Sequence, residues 1–88
     1  MAIKILKDIK INGFRVIFGS VNNEYMIAIP DISVSTYLNE LSEENKHDNI
    51  ITLTEAFKRT GYRNSVFAYL VITEATRAWL GGKSGRTN

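Results

Sequence analysis

Apolar and polar residues alternate at the start of the chain. The apolar positions of this alternation are Ile3, Ile5, Ile9 and Ile11. Lysine and aspartate residues stand between them, and a period of two is typical of a strand that is buried on one face. The pattern therefore predicts a strand over residues 3–11.

The dipeptide Asn12-Gly13 follows this strand. Both residues tolerate positive φ, so together they are a strong signal for a two-residue hairpin. The returning strand is predicted over residues 14–18, with Lys10 opposite Arg15 on its outer face. A second turn leads to a third predicted strand over residues 24–29, which is apolar on both faces.

A helix is predicted after Pro30. The proline itself ends the third strand, because it has no N–H to donate. Val34, Tyr37, Leu38 and Leu41 recur at intervals of three and four residues and predict a helix over residues 34–44. The next predicted helix covers residues 53–60. Its evidence is a capping-box pattern that ends in Glu55 and a helix stop at Gly61.

The segment over residues 64–80 is open to two interpretations. Its β-branched and aromatic run is compatible with a buried strand, but its length, its alanines and the Gly81-Gly82 stop favour one long helix. The predicted fold is α+β: a three-stranded antiparallel meander followed by three helices. It forms a single domain over residues 1–80, with a flexible polar tail over residues 81–88.

Composition narrows the class of protein. The chain has 88 residues, 44% of them apolar, with a net charge of +2, so it holds one core and is not a disordered chain. It has no cysteine, which excludes disulfide scaffolds, thiolate zinc sites, iron–sulfur clusters and cysteine nucleophiles. It has no apolar run of bilayer length and no signal-peptide pattern, so we expect a cytoplasmic protein that does not contact membranes.

Charge is unevenly distributed along the sequence. Residues 1–22 carry a net charge of +3, residues 23–50 carry −5, and residues 51–88 carry +4. Such a pattern creates a bipolar surface unless the two signs pair within the chain.

A short helix, a turn at Gly61 and a longer helix are loosely similar to many helix-turn-helix proteins, although the residues select no family. In such a unit the second helix reads base edges while flanking cations contact phosphates. The candidate nucleic-acid residues are Lys58, Arg59, Arg63 and Asn64, together with Lys10 and Arg15 on the hairpin. The first functional hypothesis is therefore a small DNA-associated regulator without enzymatic activity, of mobile-element or phage type.

A non-functional interpretation of these residues stays open, and so does a second function. In the non-functional interpretation the helix pair is an ordinary part of the core, and the exposed lysines on the strand protect its edge from aggregation. A protein-interaction or inhibitor module is the alternative function, in the form of a homodimer through the apolar last helix. Its candidate contact residues are Tyr69, Val71, Trp79 and Leu80.

Catalytic and cofactor chemistry has little support in the sequence. His47-Asp48 is the one place for a general base, and no nucleophile stands at a useful spacing. The glycine-rich stretch after residue 80 lacks the strand–loop–helix context of a phosphate-binding loop. We expect no metal, no cofactor and no small-molecule substrate.

Overall fold

Four consecutive antiparallel strands form a meander in the computed structural model, which describes residues 3–84. The strands are β1 (Lys4–Ile11), β2 (Phe14–Val21), β3 (Glu24–Ile29) and β4 (Val34–Leu38). Two helices follow: α1 (Lys46–Arg59) and α2 (Ser65–Ser84). The α+β class is confirmed. The prediction of a three-stranded sheet with three helices is wrong, because residues 3–84 form four strands and two α-helices.

The first two turns are two-residue hairpins. Asn12 and Gly13 both have positive φ, at 53° and 84°, as type I′ turns require, and Asn22 and Asn23 repeat the arrangement at 53° and 66°. The predicted register of the first hairpin is confirmed, with Lys10 opposite Arg15.

A β-bulge between Ile5 and Lys7 shifts the register of β1 against β2. Because a shift of one residue exchanges the two faces of a strand, the isoleucines of residues 3–11 do not share one face. Ile9 packs against the core on the inner face, whereas Ile3 and Ile5 lie beside Ile17 on the outer face.

The predicted helix over residues 34–44 is wrong. Val34 and Leu38 are four residues apart, a spacing that satisfies both the helical period and the strand period of two. Pairing with β3 decides between them, since Val34 lies opposite Ile29 and Leu38 opposite Tyr25. The connection is a short 3-10 turn, Pro30–Ile32, followed by Ser33 in the left-handed region.

The helix boundaries also differ from the predictions. α1 begins at Lys46 instead of residue 53, so the capping-box pattern lies inside the helix. α2 continues to Ser84, beyond the predicted end at residue 80. Of the predicted polar tail, residues 85–88 lie outside the described residues.

Both helices lie on one face of the sheet, and the core fills the space between them and the strands. Phe18 and Ile27 from the sheet meet Leu53 and Phe57 from α1 and Ile72 from α2, all fully buried. The radius of gyration is 12.5 Å, close to the roughly 12 Å expected of a single domain of this length. Within residues 3–84, neither helix combines the length and hydropathy that a bilayer span requires.

Candidate nucleic-acid interface and partner surfaces

A polar cleft of about 210 Å³ lies where α1 turns into α2. Its lining residues are Thr54, Lys58, Tyr62, Arg63, Asn64 and Ser65. Lys58 and Arg63 are both exposed, and the two ion pairs of residues 3–84 involve other cations. The cleft therefore carries two positive charges that no carboxylate of the described chain neutralises through a salt bridge.

Asn64 holds the start of α2 in place. Its side-chain oxygen accepts a hydrogen bond from the Phe67 N–H at 2.9 Å, and its backbone oxygen accepts one from the Ala68 N–H at 3.2 Å. This is an N-cap, so the Asn64 oxygen is occupied within the helix. The first turn of α2 has no acidic residue, and the positive end of the helix dipole lies at the cleft.

Three of the predicted nucleic-acid residues meet here, and three do not. Lys58, Arg63 and Asn64 line the cleft, whereas Arg59 lines a separate recess beside β4. Successive residues of a helix are about 100° apart around its axis, which is why Lys58 and Arg59 face different surfaces.

Lys10 and Arg15 lie opposite each other on the outer face of the sheet, and Arg15 is paired within the chain. Its guanidinium donates to the Asp8 carboxylate with a shortest distance of 2.6 Å, and its backbone N–H donates to Asp31 at 2.9 Å. Hydrogen bonding from Arg15, reinforced by its charge, lowers the pKa of Asp8, and Asp8 in turn raises the pKa of Arg15. This bridge offsets the repulsion between the two cations.

The first two turns of α2 present residues to the outside. Val66 is 75% exposed and Tyr69 is 54% exposed, while Phe67 and Ala68 face the core. The ammonium of Lys46 lies 5.6 Å from the centre of the Tyr69 ring, a cation–π distance.

The other residues predicted to bind a partner lie inward. Val71 is fully buried in the core of its own chain. Trp79 packs edge-on against Phe18 and Tyr25, with ring centroids 5.4 and 6.5 Å apart, and Leu80 is half-buried. The structure therefore divides this set, with Tyr69 at the surface and Val71 in the core.

The outer face of the sheet forms an apolar surface that the sequence analysis missed. We call it the open face, and its centre is lined by Ile3, Ile5, Ile17, Gly19, Met26 and Ala28. Ile3 and Ile5 remain 55% and 56% exposed, because the helices cover only the opposite face. The apolar residues on both faces of β3 were a signal for this surface, but the bulge in β1 has no sequence signature of its own.

A cavity of about 370 Å³ lies between β1 and α2. Its charged residues are Lys10, Glu74 and Arg77, and the last two form an ion pair at 3.2 Å.

His47, the candidate general base, is exposed at the start of α1. Within the described range, no three His, Asp or Glu side chains converge in a way that could hold a metal ion.

Comparison of the chain with protein-family models, curated proteins and solved structures finds no match.

Proposed function

We propose that this protein is a small, non-enzymatic DNA-associated regulator that contacts the DNA backbone through the cleft between α1 and α2. The observation that carries the proposal is the convergence of Lys58 and Arg63 on the N-terminal end of α2. Cations and backbone N–H groups at a helix N-terminus are the groups that bind phosphate oxygens in protein–DNA complexes.

The exposed side of α2 supports a groove contact. Ser65, Val66 and Tyr69 face outward over the first two turns, directly beside the cationic cleft. In helix-turn-helix proteins this part of the second helix meets base edges while neighbouring residues fix the backbone. Val66 supplies an apolar contact of the kind that thymine methyl groups accept.

Salt-dependent binding to duplex DNA tests this proposal. We expect affinity to fall steeply between about 50 and 200 mM salt, since neutralised phosphates release counterions. Replacing Lys58 and Arg63 together by alanine removes two phosphate contacts, so the slope of log K against log salt becomes shallower by about 1.8. Fluorescence anisotropy with a labelled duplex measures both quantities.

The matched control removes two cations far from the cleft. Lys4 and Lys7 lie on β1, away from the α2 N-terminus. Their double alanine variant has the same net charge as the cleft variant and should retain the parental slope. Equal losses in the two variants would mean that net charge, not the cleft, governs binding. Absence of duplex binding at low salt would refute the proposal.

The open face favours a second candidate function, a protein-interaction module. Isolated apolar side chains are common on surfaces, but a contiguous apolar patch across three strands is typical of an interaction site. The uncharged dye Nile red tests whether the patch is accessible in the native protein. We expect Ile5→Ser to lower dye fluorescence, whereas Val66→Ser, at an exposed position on α2, should lower it much less. Equal effects would count against a distinct apolar patch.

A further inference from the structure

The two edge strands of the sheet differ in how they are protected. β1 carries Lys4, Lys7, Asp8 and Lys10 and contains the bulge. Charged side chains and bulges are the devices by which proteins prevent edge strands from pairing with other chains. β4 has the sequence Val-Ser-Thr-Tyr-Leu, with no charge and no proline, and its register to β3 runs without a shift.

The hairpin geometry shows which backbone groups of β4 face outward. In a two-residue hairpin the residues that flank the turn form a hydrogen-bonded pair, so Val21 and Glu24 are such a pair. Pairs alternate along an antiparallel ladder, and Thr36 is therefore hydrogen-bonded to Ile27 in β3. The N–H and C=O groups of Ser35 and Tyr37 consequently point away from the sheet.

Side-chain contacts agree with this assignment. Ser35 and Tyr37 are both exposed, and Tyr37 remains 56% accessible. The Tyr37 carbonyl accepts a long hydrogen bond, 3.4 Å, from the hydroxyl of Thr36. A recess of about 330 Å³ runs beside the strand, between Arg59 and residues 35–37.

We propose that β4 pairs antiparallel with β4 of a second copy of this chain, with Thr36 on the two-fold axis, to give one eight-stranded sheet. In this register Ser35 of each copy lies opposite Tyr37 of the other. Each β4 has two N–H groups and two C=O groups that face outward, and all of them then form hydrogen bonds. Four hydrogen bonds in total join the two strands. A register centred on Ser35 or on Tyr37 leaves some of these groups unpaired.

The position of α1 also fits a second copy of the chain at the β4 edge. α1 lies against β4, so a strand added at this edge brings the two α1 helices side by side and antiparallel. Ile51, Glu55 and Arg59 recur every four residues on α1, and the contact of Arg59 with the β4 recess places this stripe toward the axis. Glu55 of one copy then approaches Arg59 of the other, and Ile51, 45% exposed in the single chain, becomes covered.

This inference goes beyond the two candidate functions above, because the β4 edge belongs to neither the cleft nor the open face. It is independent of DNA binding by the cleft. If the chain is monomeric and still binds duplex DNA, the inference fails and the proposed regulator stands. If the chain dimerises but does not bind duplex DNA, the inference stands and the proposed regulator fails.

Mass measurements across a range of protein concentrations test the dimer. Because one short strand per copy is added, we expect a dimer that dissociates on dilution, seen by sedimentation as a mass between 9.9 kDa and twice that value. Ser35→Pro removes an outward N–H twice per dimer and should raise the dimer Kd by about tenfold or more. The matched control Lys10→Pro removes an outward N–H from β1 and should leave the dimer Kd unchanged.

Single-cysteine variants test the register, since the natural chain contains no cysteine. Residues opposite each other at a non-hydrogen-bonded site have Cα atoms about 4.5 Å apart, within disulfide range. Thr36→Cys on the axis should therefore form an interchain disulfide under mild oxidation. Ser35→Cys should not, because its own counterpart in the second copy lies beyond about 7 Å.

Either of two results would overturn the inference. One is a mass of 9.9 kDa at all concentrations up to the millimolar range. The other is a dimer in which Ser35→Cys cross-links as fast as Thr36→Cys, which excludes this register. Should Ser35→Pro unfold, as circular dichroism would show, the cysteine pair still decides the outcome.

Discussion

The side chain of Asn49 forms two hydrogen bonds with the backbone of Asn39. Its Oδ1 accepts from the Asn39 N–H at 2.9 Å, and its Nδ2 donates to the Asn39 oxygen at 3.3 Å. Asn49 is fully buried in the first turns of α1, and Asn39 directly follows β4. These two hydrogen bonds attach α1 to the end of β4, an edge strand of the sheet.

Replacing Asn49 by alanine should destabilise the fold by about 2–3 kcal/mol. The change removes both hydrogen bonds and leaves the Asn39 N–H and C=O without their partner in a part-buried position. Urea unfolding followed by circular dichroism measures the loss. His47→Ala, at an exposed position on the same helix, should change stability by less than about 0.5 kcal/mol. Equal effects would show that Asn49 does not anchor the helix.

Gly19→Ala should destabilise the sheet by roughly 1–3 kcal/mol. A Cβ at Gly19 would lie 2.8 Å from the backbone oxygen of Lys4 and 3.2 Å from a methyl of Ile3, so β1 would have to move. At Gly81, in α2, a Cβ meets nothing within 4 Å, and Gly81→Ala should instead raise stability by up to about 1 kcal/mol. Thermal unfolding of the two variants checks the opposite signs.

The Asp8–Arg15 bridge should make stability depend on pH at the acid end. Because the pKa of Asp8 in the folded protein is lowered from its ordinary value of 3.8, the bridge contributes fully above that value. Its contribution is lost as the pH falls through the folded pKa. Carboxyl NMR titration should place Asp8 below 3.8, and Arg15→Gln should return it toward that value. Lys10→Gln should shift it less, and a larger shift would contradict the assignment.

Trp79→Ala should lower the stability of the single chain by about 3 kcal/mol, because Trp79 packs against Phe18 and Tyr25 within one core. Tyr69→Ala, at an exposed position, should cost less than about 1 kcal/mol. Chemical unfolding at low protein concentration measures both. A Trp79 variant of unchanged stability but altered assembly would instead identify it as a contact for a partner.

Much of the candidate cleft could be predicted from the sequence. Lys58, Arg63 and Asn64 flank one short turn, so any helix–turn–helix arrangement brings them near each other. The position of Arg59 could also have been inferred, since it follows Lys58 on a helix and must face another side. The pairing of Arg15 with Asp8 was not predicted, although the repulsion between Lys10 and Arg15 across the strands favours a nearby carboxylate.

Local sequence by itself determined the first three strands and the first hairpin register, and it favoured a helix over a strand for the segment that became α2. The strand and hairpin signals are complete within a few residues: positive φ at Asn12-Gly13 and alternation in β2. Tertiary structure decided the rest. Val34 and Leu38 fit two periods, and only hydrogen bonding to β3 selects the strand. The faces of Ile3 and Ile5 depend on a bulge, which is a relation between two strands and not a property of either one.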